Sequence, residues 1–282
     1  MNVAIKDYFL PQSLDEATRL LAEHDVSLLV MAGGTIAMPL INDGISLPEK
    51  VMGLRRAGLN YVRRSNGRVE IGATTTLTEV LGLGATIPLL QQAARAIGGW
   101  TVRNMGTVGG NFFAPPPAGD LATALLALDA QLKLVSQSGQ RIIPIAEFYT
   151  GFMTNALQPG ELLAEIQVPI PKGRTAYIKY GRKHANTPAV VTVAAHVVLD
   201  GERVQVARIA LNAAGPHPIR ATNAEAALVG STLDKSTVAS AAAAAAAECE
   251  PFTDALASEW YRRKMVGVYV GRTLAQIAGR EG

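Results

Sequence analysis

A break at Pro169-Ile170-Pro171-Lys172-Gly173 divides the chain into two stretches of different periodicity. Proline has no N–H to give a ladder, so a strand from Leu162 to Val168 has to stop there. Before the break, short apolar strands alternate with helical patterns. After it, three alternating segments follow one another: Ala176–Tyr180, Ala189–Leu199 and Arg203–Leu211. Asp200-Gly201 between the last two is a hairpin signal. This half reads as an antiparallel meander, followed by helices at about 221–228, 236–249 and 259–277. Ala241–Ala247 is unbroken alanine, the best helix former.

The N-terminal stretch reads as strand–helix–strand. Ser13 and Glu16 are spaced as a capping box, and Leu14, Ala17, Leu20 and Leu21 follow at helical spacing. The run Val26–Met31 is a short buried strand, and a small lobe ends near residue 58. A second lobe opens with the strand Arg68–Ala73. Thr78 is placed to cap a short helix. Residues 88–97 suit another helix, ended by Gly98-Gly99, and Asp120 is a natural N-cap for Leu121–Leu128. Gln131–Val135 alternates as a strand. The predicted units are 1–58, 59–172 and 173–282.

Composition removes several classes of function. Length of 282 residues permits two small domains or one large one. Net charge is +3, from 26 basic and 23 acidic residues, which is too small an excess to argue for nucleic acid. The single cysteine, Cys249, excludes an internal disulfide or iron–sulfur cluster, and its acidic neighbours Glu248 and Glu250 argue against a reactive thiol. The four histidines show no metal-like spacing. No signal peptide and no membrane span are apparent, so a soluble cytoplasmic protein is expected.

Two glycine loops carry the chemistry: Met31-Ala32-Gly33-Gly34-Thr35-Ile36, after the buried strand, and Gly106-Thr107-Val108-Gly109-Gly110-Asn111. Paired glycines let backbone approach a bulky ligand and turn N–H groups outward, and Thr and Asn add donors. That chemistry suits a pyrophosphate. Any single Gly-Gly pair is more often a plain turn. The dinucleotide G-x-G-x-x-G and P-loop motifs are both absent, which excludes those assignments.

In combination, Ala32-Gly33-Gly34-Thr35 and Thr107-Val108-Gly109-Gly110-Asn111 resemble the two FAD-binding signatures of the molybdopterin dehydrogenase FAD-binding subunit family. That family includes the medium subunit of carbon monoxide dehydrogenase and the FAD segment of xanthine dehydrogenase. Asn104–Ala130 is similar to the family's core, and Ser258-Glu259-Trp260-Tyr261-Arg262-Arg263 to its C-terminal signature. The resemblance implies an α+β fold. A two-lobed FAD-binding domain of the vanillyl-alcohol-oxidase/PCMH type would precede a three-stranded antiparallel sheet with a helical bundle.

It also implies roles. Ala32, Gly33, Gly34, Thr35 and Ile36 wrap the pyrophosphate, joined by Thr107, Gly109, Gly110 and Asn111. Asp120 reaches the sugar-like part of the flavin; Leu163 packs near the adenine or the isoalloxazine; Lys179 closes the site. Read without the resemblance, these three are an N-cap, a core leucine and an exposed strand lysine. Trp100, Tyr177 and Tyr180 are ring-stacking candidates, each more simply explained by packing.

The implied partners are a small subunit with [2Fe–2S] clusters and a large molybdopterin subunit, arranged as a dimer of heterotrimers. No catalytic residue is expected here. Two departures stand out. Phe113-Ala114-Pro115-Pro116-Pro117-Ala118-Gly119 replaces the family's usual Ala-Asp or Ser-Pro pair, and the loop Arg182–Thr187, which holds His184, lacks the usual acidic residue. A stand-alone FAD oxidase and a non-catalytic nucleotide sensor or scaffold are the competing readings.

Overall fold

A computed structural model describes residues 5–24, 27–183 and 186–280. The first lobe comprises β1 (Asp7–Phe9), α1 (Leu14–His24), β2 (Leu28–Met31), α2 (Ala37–Asn42) and β3 (Lys50–Gly53). Its strands form a parallel sheet in the order β1-β3-β2. Ala17, Leu20 and Leu21 of α1 are buried with Leu28 and Met52. Ser13 accepts from the Glu16 N–H at 3.1 Å, but the Glu16 carboxylate reaches the Gln12 N–H instead of that of Ser13. Only half of the expected capping box is therefore made. Val26 lies outside the described residues.

The second lobe begins with the hairpin β4 (Val62–Ser65) and β5 (Arg68–Gly72). Five helices follow: α3 (Leu77–Val80), α4 (Pro88–Arg95), α5 (Trp100–Met105), α6 (Val108–Phe112) and α7 (Asp120–Ala127). Then come β6 (Gln131–Ser136), β7 (Gly139–Pro144), the small hairpin β8 (Tyr149–Gly151) and β9 (Thr154–Asn155), and β10 (Leu162–Pro169). The main sheet is antiparallel, in the order β4-β5-β10-β6-β7. Thr76, not Thr78, caps α3, with Glu79 completing a full capping box. Thr78 instead donates to Asn104 Oδ1 at 2.7 Å.

Beyond the proline break lie β11 (Arg174–Gly181), β12 (Ala189–Asp200), β13 (Arg203–Asn212) and β14 (Ile219–Arg220), all antiparallel in chain order. The fourth strand, two residues long, carried no alternation to announce it. Helices α8 (Thr222–Leu228), α9 (Lys235–Glu248) and α10 (Glu259–Ile277) close the chain. Asp234 caps α9 and Ser258 caps α10 through their side chains.

Strand β12 explains how this half attaches to the rest. Val191, Val193, Ala195 and Val197 pack with Val266, Val270 and Leu274 of α10. Ala194, on the opposite face, joins Leu121 and Leu125 of α7 in the largest core. A strand covered on both faces reads as a continuous apolar run, as Ala189–Leu199 does. Its two polar interruptions are Thr192, on the α7 side, and His196.

Cys249 is buried, and burial is the main reason its thiol is pushed above the ordinary range; Arg263 opposes the shift. Among the described residues no helix is long and apolar enough to cross a membrane.

Candidate functional site

The two glycine loops meet. Gly33 lies so close to the second loop that any side chain there would be driven into the Met105 carbonyl, and Thr35 Oγ1 lies against Gly106. Ala32 faces Gly110 across the same contact. Gly34 has φ +73°, the left-handed region that glycine adopts freely. Met38 N–H returns to Gly34 O at 2.9 Å, closing a turn that runs into α2.

This turn leaves a row of donors uncommitted. Among the described residues, the successive N–H groups of Ala32, Gly33, Gly34, Thr35 and Ile36 donate to no acceptor. All five residues are half-buried and line one cleft. Successive backbone N–H groups around a positive-φ glycine make a concave anion site.

The second loop is built differently from expectation. It forms the short helix α6, and its N–H groups, that of Thr107 apart, are already engaged. Val108 donates to Thr75 O at 2.9 Å, Gly109 to Ala73 O at 2.8 Å, and Gly110 to Thr107 Oγ1 at 3.1 Å. Gly109 is required for contact rather than for donors: a side chain there would sit 2.8 Å from the Ala73 carbonyl. What this loop can offer a ligand is the Thr107 N–H and side-chain chemistry. The Thr107 hydroxyl proton is not used in its cap, and Asn111 uses Oδ1 on the Leu121 N–H at 3.0 Å, keeping its Nδ2 donors.

That last bond corrects the expected cap. Asp120 is the first residue of α7, not its N-cap; Gly119 holds that place at φ +84°, and Asn111 supplies the capping oxygen. The Asp120 carboxylate is therefore directed elsewhere. Its Oδ2 accepts from Lys179 Nζ at 2.7 Å and its Oδ1 from Thr192 Oγ1 at 2.8 Å. Side-chain exposure is 4% for Asp120 and 10% for Lys179, so this pair is screened little by solvent. Lys179 also donates to Ala96 O at 3.1 Å, which excludes the exposed-lysine reading.

The remaining wall is apolar. Leu29, Leu54, Leu77, Ile97, Val102 and Leu163 line it. Leu163 is both core and wall: it is buried in β10 and reaches the cleft. The cleft measures about 680 Å³, well within the range that holds cofactors. Ala32, Gly33, Gly34, Thr35, Ile36, Thr107, Gly109, Gly110, Asn111, Asp120, Leu163 and Lys179 all stand on its surface.

Sequence reasoning missed Glu161, which lines the cleft and is held by Arg141 at 2.7 Å and by the Gln158 N–H. The bond to Arg141 holds its carboxyl below the ordinary range. The stacking candidates are placed otherwise. Tyr177 is near Asp120, its hydroxyl 3.4 Å from the Asp120 carbonyl, and burial pushes its pKa well up. Tyr180 stacks on Tyr269, and Trp100 is exposed. His184 lies outside the described residues. The proline-rich loop is gripped through Asn212 Nδ2, which donates to Pro117 O at 3.1 Å and Ala118 O at 3.2 Å.

Residues 3–171 match the model of the FAD binding domain in molybdopterin dehydrogenase. The chain belongs to that family. The FAD-binding match is continued by the CO dehydrogenase flavoprotein C-terminal domain over residues 176–277. Among its relatives is the glyceraldehyde dehydrogenase medium chain of Sulfolobus acidocaldarius, 32% identical, with 96% of this chain and 98% of that one aligned. Another is the carbon monoxide dehydrogenase medium chain of Afipia carboxidovorans, 32% identical over 97% of each chain. A chain from the structure of Hydrogenophaga pseudoflava carbon monoxide dehydrogenase superposes with a TM-score of 0.94 at 32% identity, covering 99% of both. As a member of this family of dehydrogenase FAD subunits, the FAD-binding chain is an oxidoreductase component, and its α+β fold is the one the resemblance implied.

Proposed function

We propose that this chain is the medium subunit of a molybdenum hydroxylase, taking electrons from [2Fe–2S] clusters on a small subunit and passing them to an external acceptor. The large partner would hold molybdopterin, and the assembly would be a dimer of heterotrimers. The supporting observation is the contact between the two glycine loops, which opens five unengaged N–H donors into one cleft beside an apolar wall. Relatives whose printed names are medium chains or subunits of dehydrogenase complexes support the multi-subunit reading.

The residues present fit FAD. Ala32–Ile36 would hold the pyrophosphate through backbone donors, without a lysine or arginine. Thr107 and Asn111 would add side-chain donors, with Gly109 and Gly110 keeping that wall thin. Asp120 would accept hydroxyl protons from the sugar-like chain, Leu163 would pack on a ring, and Lys179 would close the site. When bound, FAD supplies the capacity to take electrons singly and release them singly or in pairs. The protein contributes position, exclusion of water and a fixed positive charge. We place the units at 1–58, 59–172 and 173–282; each of the four sheets falls within one of these spans, and the two family matches meet near the second boundary.

The test is isolation of the native complex. The expected preparation contains FAD, molybdenum and two [2Fe–2S] signals by electron paramagnetic resonance, with the flavin band bleaching when substrate is added. A preparation holding flavin but neither iron nor molybdenum would favour the stand-alone oxidase.

A further inference from the structure

Asp120 is held from behind by strands of the C-terminal sheet. Thr192 is fully buried and does not stand on the cleft wall. Its side chain lies on the α7 face of β12, between its ladder neighbours Lys179 and Asn212, and its hydroxyl is shut away from solvent. Such a group is costly to bury without a partner, and its partner is Asp120 Oδ1 at 2.8 Å. Directly opposite in the ladder stands Asn212, whose amide grips the Pro117 and Ala118 carbonyls. The pair thus holds both sides of the Gly119 turn, and Tyr177 adds a contact to the Asp120 carbonyl.

The chemistry that follows is geometric. A carboxylate turns easily about its last torsion. Lys179 alone, bonded to Oδ2, would leave Oδ1 free to swing. With Thr192 on Oδ1 the carboxylate plane is set, and each oxygen keeps a lone pair for a ligand hydroxyl. We infer that Thr192 is a positioning residue of the flavin site, acting on the ligand only by fixing the Asp120 carboxylate. This rests on the FAD reading above.

The experiment titrates the flavin-free full chain with FAD, reading fluorescence quenching and the visible circular dichroism of the bound flavin. Thr192→Val should weaken FAD by about tenfold, the order expected for one hydrogen bond to a charged group, and alter the dichroism band. Thr192→Ser, which keeps the hydroxyl, should stay within about twofold of the parent. In the background of Asp120→Ala, adding Thr192→Val should cost nothing further, because the two act as one unit. Thermal unfolding of each flavin-free variant separates these effects from stability; should Thr192→Val not fold, Thr192→Ala makes the same deletion without the new methyl group. Parental affinity and dichroism in Thr192→Val, or full additivity in the double variant, would overturn the inference while leaving the FAD reading intact. A parent chain that takes up no FAD would overturn both.

Discussion

Lys179 on β11 and Asp120 at the start of α7 form a buried ion pair, Nζ to Oδ2 at 2.7 Å, that joins the C-terminal sheet to the FAD-binding half at the cleft wall. The pair is 59 residues apart in the chain. It ties the integrity of the site to the docking of the C-terminal half.

Breaking one side should be expensive. Lys179→Met leaves the Asp120 carboxylate buried with Thr192 alone, and removing one partner of a buried pair typically costs about 3–5 kcal/mol. Denaturant unfolding of the flavin-free chain should show that loss. The double variant Lys179→Met/Asp120→Leu should recover much of it, because no orphan charge remains.

Gly33→Ala should separate the loops. Its new methyl group meets the Met105 carbonyl, a backbone atom that cannot move aside alone. We expect a stability loss of about 3 kcal/mol and purified protein with little flavin. Gly34→Ala meets only methionine side chains at 3.3–3.4 Å and should cost about 1–2 kcal/mol from its positive φ. The flavin-to-protein absorbance ratio distinguishes the two.

His196 makes stability depend on pH. It is buried in β12, with Nε2 on Lys172 O at 2.6 Å, and Nδ1 has no partner among the described residues. Burial is the main reason its pKa is lowered; the Lys172 carbonyl opposes the shift, and Arg208, Asp129 and Arg220 lie nearby. A lowered folded pKa means that the unfolded chain binds the proton first. Stability is therefore full above about 6.5 and falls as pH drops through the folded value. Melting temperature against pH should show that slope, and His196→Gln should flatten it.

Arg262 is fully buried in α10. Its guanidinium serves Val190 O at 2.7 Å, Ala189 O at 3.3 Å and Asp254 Oδ1 at 2.7 Å, and lies over the Phe252 ring. Arg262→Met should cost about 3 kcal/mol or more, and Arg262→Lys should restore only part, since a point charge cannot reach three acceptors in one plane. Calorimetry of the flavin-free chain measures both.

What the sequence disclosed follows the range of the forces involved. Helices α9 and α10 and the β12–β13 hairpin carry their own caps, alanine run and Asp200-Gly201 turn, so they were legible within a few residues. Helix α6 was not: Gly109-Gly110 is a poor helix former, and only bonds to Ala73, Thr75 and Thr107 impose the turn. Asp120 looked like a cap because caps are local. Thr192 and Lys179, distant in sequence, decide its real orientation. Both glycine loops were visible as motifs, but nothing local says that Gly33 lies on Met105, or that the first loop keeps a run of five N–H groups unengaged while the second keeps just that of Thr107.

Titration of the flavin-free chain with FAD and, separately, with riboflavin tests the anion-site account most directly. One FAD per chain should bind, with riboflavin at least about a hundredfold weaker, because it lacks the pyrophosphate that several N–H donors would meet. Equal affinity for the two, or no uptake of FAD, would contradict the assignment of Ala32–Ile36 as the pyrophosphate cradle.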